Sequence, residues 1–244
     1  MSKFVLLNAR LFAVGADLTG ASNKIELTSE VEDKESTNYY SAGYKEVIGG
    51  LGSAEATAEG QWEAADSSKV DDAMWARLGG VGPWTACPDN AAVGDLAYIT
   101  QCLTASYALG GSIGDVAPWS AKGASSWPLV RGQIAHPAGT ARTSTGVGTA
   151  IQLGAVPAGK RLYAALHVLS VAGTTPSITA RIESDNAVGF PSATTQLTFT
   201  AAAAAGGEAL RTTGSAITDD WFRVAWTISG TTPSFMFATS FGIR

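Results

Sequence analysis

Twice between residues 24 and 63 the chain alternates small or apolar residues with polar ones, a period that only a strand with one buried face satisfies. In residues 24–32, Ile25, Leu27 and Val31 share a face with Ser29, and Lys24, Glu26, Thr28, Glu30 and Glu32 take the other. In residues 53–63, Ala54, Ala56, Ala58, Gly60 and Trp62 oppose Ser53, Glu55, Thr57, Glu59, Gln61 and Glu63. At about 3.3 Å per residue each strand would run roughly 30 Å, longer than the usual strand of about five or six residues. The polar faces collect Glu26, Glu30, Glu32, Glu55, Glu59 and Glu63. They explain much of a charge asymmetry: residues 1–100 hold 15 acids against 7 bases, residues 101–244 hold 6 against 9.

Between these strands lies DKESTNYYSAGYKEVIGGLG, residues 33–52. A structureless connection of that length is uncommon in a compact domain and is usually functional or mobile. Tyr39, Tyr40, Tyr44, Val47, Ile48 and Leu51 all call for burial, so cover by another subunit is the economical expectation; folding back on its own sheet is the alternative. Charged residues are 15% of the chain, against about 25% in an ordinary soluble domain, which fits a surface largely given to neighbours.

Residues 66–80 read as a helix. Asp66, Ser67 or Ser68 can cap it, Asp71 and Asp72 favour the positive end of its dipole, and Gly79 and Gly80 stop it. Val70, Ala73, Met74, Arg77 and Leu78 would form its packed face. Residues 97–119 read as two strands around the turn GGSIGD. After about Trp127 acid becomes scarce, and short apolar strands are expected at residues 162–171, 177–183, 194–200, 221–229 and 234–243, the spacing of a β-sandwich. The string GTTPS occurs at residues 173–177 and again at 230–234, and the two are expected to be equivalent strand connections.

Several functions lose support. Acidic balance without a basic cluster opposes a grip on nucleic-acid phosphates. No apolar run approaches the roughly 20 residues that span a bilayer, and the opening MSKFVLLNARLF, broken by Asn8 and Arg10, is a poor signal peptide. Cys87 and Cys102 form neither a CxxC nor a disulfide framework and are expected as buried thiols of an intracellularly made protein. His136 and His167 have no acid, Cys or second His at ligand spacing, and no nucleophile elbow, metalloprotease, Walker or complete dinucleotide motif occurs. No enzyme, metal site or cofactor is expected. Of the tryptophans, Trp226 alternates with Val224 and Ile228 and reads as core.

The order of segments from about 20 to 132 resembles the major tail (tail tube) proteins of long-tailed bacteriophages of the siphophage type. The resemblance is carried by IELTSEVED, then STNYYSAGYKEVIGGLG, then SAEATAEGQWE, the helix SSKVDDAMWARLG, and Gly114-Asp115-Val116 followed by Leu129-Val130-Arg131-Gly132. It covers about 110 of the 244 residues. It implies a mainly β fold: a tail-tube β-sandwich or barrel domain with one short helix over residues 1–132, and an Ig-like or jelly-roll-like sandwich over 133–244 on the tube exterior. It also implies a structural virion protein, made in the bacterial host cytoplasm. Six copies form a ring, rings stack into a tube, and DNA passes through the lumen without specific binding. Its partners would be itself, the tape measure, the tail terminator and the baseplate or tip, with no membrane insertion. On this resemblance the six glutamates are candidates for the lumen wall, and Thr37, Tyr39, Tyr40, Tyr44, Val47, Ile48 and Leu51 for the contact between rings or subunits. The alternative is a carbohydrate-binding virion or cell-surface module using exposed tryptophans.

Overall fold

The computed structural model describes residues 5–66, 68–125 and 127–244. The cap candidate Ser67 and the first four residues of the opening segment lie outside the described residues. The fold is mainly β, 58% strand against 4% helix. In chain order its strands are β1 (Arg10–Ala13), β2 (Ala16–Asp17), β3 (Ser22–Glu35), β4 (Val47–Gln61), β5 (Val81–Cys87), β6 (Leu96–Leu109) and β7 (Pro118–Ser125). There follow β8 (Val130–His136), β9 (Gly146–Val147), β10 (Ile151–Gln152), β11 (Leu162–Asp185), β12 (Thr194–Thr198), β13 (Gly206–Arg211) and β14 (Trp221–Ile243). The one α-helix among the described residues, α1, is Val70–Trp75.

All pairings are antiparallel and join into one continuous sheet. Its main path runs β12-β11-β14-β8-β6-β5-β1-β2, and a branch leaves β6 through β7 to β4 and β3. Two large cores form. One gathers Leu11, Leu18, Ala56, Ala58, Trp84 and Trp119 beneath the branch; the other gathers Leu166, Ile178, Ile182, Phe222, Phe235 and Phe237 from the two longest strands. The boundary expected at residue 132 falls inside β8, which pairs with β6 on one side and β14 on the other.

The helix is shorter than its sequence pattern. Asp66 is spent locally, its Oδ1 accepting from the Ser68 amide at 2.8 Å, so the helix begins after Lys69 instead. Val70 and Met74 are buried as expected, whereas Leu78 stays 45% exposed beyond the last helical turn.

The two GTTPS strings are not loops between strands. Expected strands 162–171 and 177–183 merge into β11, and 221–229 and 234–243 merge into β14. The strings lie opposite each other in this ribbon, where the register slips. Shifting either strand's numbers by the repeat distance maps Ser170↔Met236 onto Thr179↔Thr227, Val171↔Phe235 onto Ile178↔Ile228, and Ala172↔Ser234 onto Ser177↔Ser229, while Thr174 pairs with its own equivalent, Thr231. A local two-fold therefore relates the repeats, with φ of 113° at Gly173 and 118° at Gly230, and 47° at Thr175 and 48° at Thr232. Here the ribbon bends and lets both of its halves feed one core.

Only glycine suits the bend, because a Cβ on Gly230 would stand 2.8 Å from the Thr175 carbonyl oxygen and one on Gly173 2.7 Å from that of Thr232. Gly230→Ala is expected to destabilise by about 2 kcal/mol, a melting-temperature loss of roughly 5 °C. Gly139→Ala, which meets nothing within 4 Å, is the matched control, and equal melting of the two variants in calorimetry would refute this account of the bend.

Candidate assembly surface

The alternating segments become a single long hairpin. β3 and β4 pair from Ser22↔Gly60 to Glu35↔Val47, so much of the expected 20-residue loop is strand and the connection shrinks to residues 36–46. Ala54, Ala56 and Ala58 are 6%, 0% and 1% exposed. Ala56 and Ala58 belong to the core that holds Trp84, Trp119, Ala121 and Cys102. The small residues make room for the indoles: a Cβ on Gly123 would meet Cys102 Cβ at 2.8 Å and Trp84 Cε2 at 3.3 Å. Trp119 Nε1 donates to the Ala21 carbonyl at 2.9 Å, tying β7 to the residue before β3.

The opposite face is charged and open to solvent. Pairing sets Glu26 beside Thr57, Thr28 beside Glu55, Lys24 beside Glu59 and Glu30 beside Ser53. β7 adds Lys122 beside Thr57 and Ser120 beside Glu59. Glu26, Glu30, Glu55 and Glu59 thus share one sheet face, and Glu32 continues it onto the distal arm. Glu63 does not: it lies past the end of β4 and binds Lys69 Nζ at 2.8 Å near the helix start.

Lysines offset part of this charge. Lys24 reaches Glu59 at 3.2 Å and Glu26 at 3.8 Å, Lys122 reaches Glu55 at 2.5 Å, and Lys34 pairs with Glu32. Glu59, by hydrogen bond and charge, pushes the Lys24 ammonium above its ordinary pKa. Exposed pairs of this kind contribute about 0–1 kcal/mol each, so their significance is the charge they leave over. Within the four-strand face, four glutamates stand against Lys24 and Lys122. The alternation in residues 118–125, with Trp119, Ala121 and Gly123 against Ser120, Lys122 and Ala124, is the signal that places Lys122 here; it repeats the logic of β4.

Beyond the part of β4 that β7 supports, residues 31–35 and 47–52 project as a two-stranded arm. Tyr39, Tyr40 and Tyr44 are 107%, 98% and 80% exposed, and Val31, Val47, Ile48 and Leu51 are also exposed. The tip is nonetheless a formed turn. Ser36 N donates to the Glu46 carbonyl at 2.9 Å, the Tyr40 amide to Asn38 Oδ1 at 2.9 Å and the Asn38 amide to Ser41 Oγ at 3.0 Å. Its apolar side chains therefore do not fold back on their own sheet.

The branch is open at both ends. Among the described residues β3 pairs only with β4, leaving the outer edge of its 14 residues without a strand. At the other end β5 covers β6 only as far as Leu103. Residues 105–109 of β6 have β7 on one side and no strand on the other among the described residues.

The two histidines and two cysteines are buried. His167 is buried; its Nδ1 accepts from the Gly15 amide at 3.3 Å, so Nε2 carries the proton and donates to Thr85 Oγ1 at 2.9 Å. His136 Nδ1 donates to the Phe237 carbonyl at 3.1 Å, and its Nε2 accepts from Arg142 Nε at 3.0 Å. Burial pushes the Cys87 and Cys102 thiols up to about 12, which leaves them unreactive at neutral pH. Trp84, Trp119 and Trp226 are core, and Trp75, 67% exposed, is the only largely exposed tryptophan among the described residues. No helix there is long and apolar enough to cross a membrane.

No protein-family profile matches the chain, and no curated protein matches it in sequence. Among solved structures it is similar to a chain from the tail of an empty gene transfer agent particle refined with C6 symmetry, at 19% identity and a TM-score of 0.40, over 50% of this chain and 92% of that one. It is also similar to a chain from the native gene transfer agent virion, at 19% identity and TM-score 0.37, over 45% and 82%. A third is the SPP1 Dit protein, a hub adsorption apparatus of phages infecting Gram-positive hosts, at 11% identity and TM-score 0.35, over 97% and 99%. At these TM-scores the likenesses are loose, and no functional statement is drawn from them.

Proposed function

We propose that this chain is a structural, non-enzymatic virion protein that polymerises into the tail tube of a long-tailed bacteriophage. The observation that carries the reading is the branch sheet: buried on its small-residue face, acidic on its open face and without a strand at either edge. A fourteen-residue edge strand left free is an aggregation hazard, and pairing with the neighbouring copy turns the hazard into an assembly rule. In the proposed ring, β3 of one copy adds to residues 105–109 of β6 in the next, and six copies close the sheet into a barrel. The ring number follows the family resemblance in residues 20–132.

The acidic face then lines the lumen. Six copies repeat the excess of Glu26, Glu30, Glu55 and Glu59 over Lys24 and Lys122, so the wall repels the phosphate backbone and DNA slides past it. Glu32 extends this wall along the arm, while Glu63, held by Lys69, contributes little. The apolar arm, with Thr37, Tyr39, Tyr40, Tyr44, Val47, Ile48 and Leu51, joins neighbouring subunits or rings. Residues 133–244 form the sandwich on the tube exterior, and tape measure, terminator and baseplate proteins meet the tube at its ends.

Negative-stain microscopy of the purified protein tests the reading. Tubes with a central channel are expected; monodisperse monomers at every concentration would overturn it.

A further inference from the structure

Starting from the self-assembly reading, we infer that the arm tip of one copy seats in a cleft on a second copy, between the inner face of β3 and the segment leading into β8. The apolar part of this cleft encloses about 310 Å³ and is lined by Ile25, Leu27, Pro88, Tyr98 and Leu129 among others. It continues, sharing Tyr98 and Leu129, into a space of about 300 Å³ bordered by Arg131 and Arg244. An apolar floor with a cationic end is a shape for a specific occupant.

Three observations point to the arm as that occupant. Ile25, Leu27 and Ser29 belong to the same hairpin as the arm, but Tyr39 and Tyr40 at its tip are fully exposed, so the tip does not occupy the cleft of its own chain. The apolar surface missing from the cleft is the surface the tip presents, three tyrosines with Val47, Ile48 and Leu51 behind them. The charges also match. In the arm Lys34 pairs with Glu32 and Lys45 with Glu35 at 3.8 Å, leaving Asp33 and Glu46 without a cation within 4.0 Å among the described residues. In the cleft Arg131 and Arg244 have no carboxylate partner there either, Arg244 donating instead to the Leu129 carbonyl. Opposite unpaired charges at the ends of matching apolar surfaces fix register as well as partner.

The test places benzoylphenylalanine at Tyr40 in the full chain, mixes light and ¹⁵N-labelled protein under assembly conditions, irradiates, and maps the crosslinked peptides. Intermolecular crosslinks to the peptides holding Pro88, Tyr98 or Leu129 are expected. Crosslinks within one chain, or to any other surface, would overturn the cleft assignment, and tubes in the same sample would leave the assembly reading standing. Cleft crosslinks without tubes would keep the assignment and overturn the tube; monomers at every concentration would overturn both. In parallel, Arg131→Glu is expected to raise the concentration needed for assembly at least tenfold with melting unchanged, and an unchanged concentration would refute the charge match. Ala203→Glu, at an exposed residue that lines neither space, serves as the control.

Discussion

Lowering the pH from 7 to 5 is expected to cost the unassembled protein about 4 kcal/mol of stability and roughly 10 °C of melting temperature. The cause is the two buried histidines. Burial alone holds His167 down to about 3. Burial, reinforced by Arg142 against the opposing hydrogen bond to the Phe237 carbonyl, holds His136 down to about 4. In the unfolded chain both titrate near about 6.5. Below that value the unfolded state binds up to two protons that the folded state refuses. The stability these groups contribute is complete above pH 6.5 and drains away as the pH falls toward the folded values. Each proton is worth about 1.4 kcal/mol per pH unit, so two across the 1.5 units from 6.5 to 5 give the figure stated. Above about pH 5 most carboxylates remain ionised in both states, which isolates the histidine effect.

The hydrogen bonds make the cost concrete. A proton on Nδ1 of His167 would face the Gly15 N–H, donor against donor, at the point where β11 packs on the turn between β1 and β2. A proton on Nε2 of His136 would face the Arg142 guanidinium, which lies over the Trp226 ring at 5.5 Å. Calorimetry from pH 7 to 5 checks the slope, and His136→Gln should halve it by leaving a single titrating ring. A melting temperature constant over that range would sink the assignment. Below it Glu183 adds to the loss. Burial works to raise this carboxyl, but Arg223 and Arg181 hold it below its ordinary pKa, so its contribution, present above the ordinary value, disappears as the pH falls through the lowered one.

What the sequence disclosed and what it withheld follow from where each side chain finds its partner. The inner part of the hairpin was legible because Ala54, Ala56 and Ala58 bury against their own chain and so impose a period of two. The distal arm was not. In VIGGLG neither face is buried by this chain, so no alternation is selected, and strands ending at Glu35 and beginning at Val47 looked like loop. The same absence of a partner that hid the secondary structure is the reason the arm is proposed as an interface. The bend at the two GTTPS strings was hidden for a different reason. Glycine and proline ordinarily end strands, and here each string stays inside one because its glycine and second threonine take positive φ at matching points of the ladder, where the register slips. Of the six glutamates, five follow the strand face that alternation assigns; Glu63 departs because β4 stops at Gln61 and Lys69 draws the carboxylate aside. Alternation in residues 118–125 gives Lys122 its face, but only the pairing of β7 with β4 brings it beside Glu55.

The arm tip carries the second large effect. Replacing residues 36–46 by Asn-Gly would join Glu35 to Val47, a pair already in register, through a two-residue type I′ turn that suits the twist of the hairpin. Tyr39, Tyr40 and Tyr44 are removed and the remaining protein loses only the exposed Lys45–Glu35 pair, since the hydrogen bonds of the tip stay within it. Melting of the monomer should shift by no more than a few degrees. Assembly should respond very differently. Burying one large apolar side chain contributes about 1.5–3 kcal/mol, so losing three tyrosines removes roughly 5 kcal/mol per contact even after the ordering cost of binding. That is a factor of about a thousand or more in the concentration at which rings join. Light scattering against concentration, followed by microscopy, reads it directly: soluble rings or monomers are expected where the parent chain forms tubes. Tubes of normal length from the shortened chain would show that the tyrosines face solvent in the assembled state, and the exposed arm would then need another occupant. The free edges of β3 and β6 are untouched by the replacement, so rings that close but do not stack would assign the arm to the axial contact and the sheet edges to the lateral one.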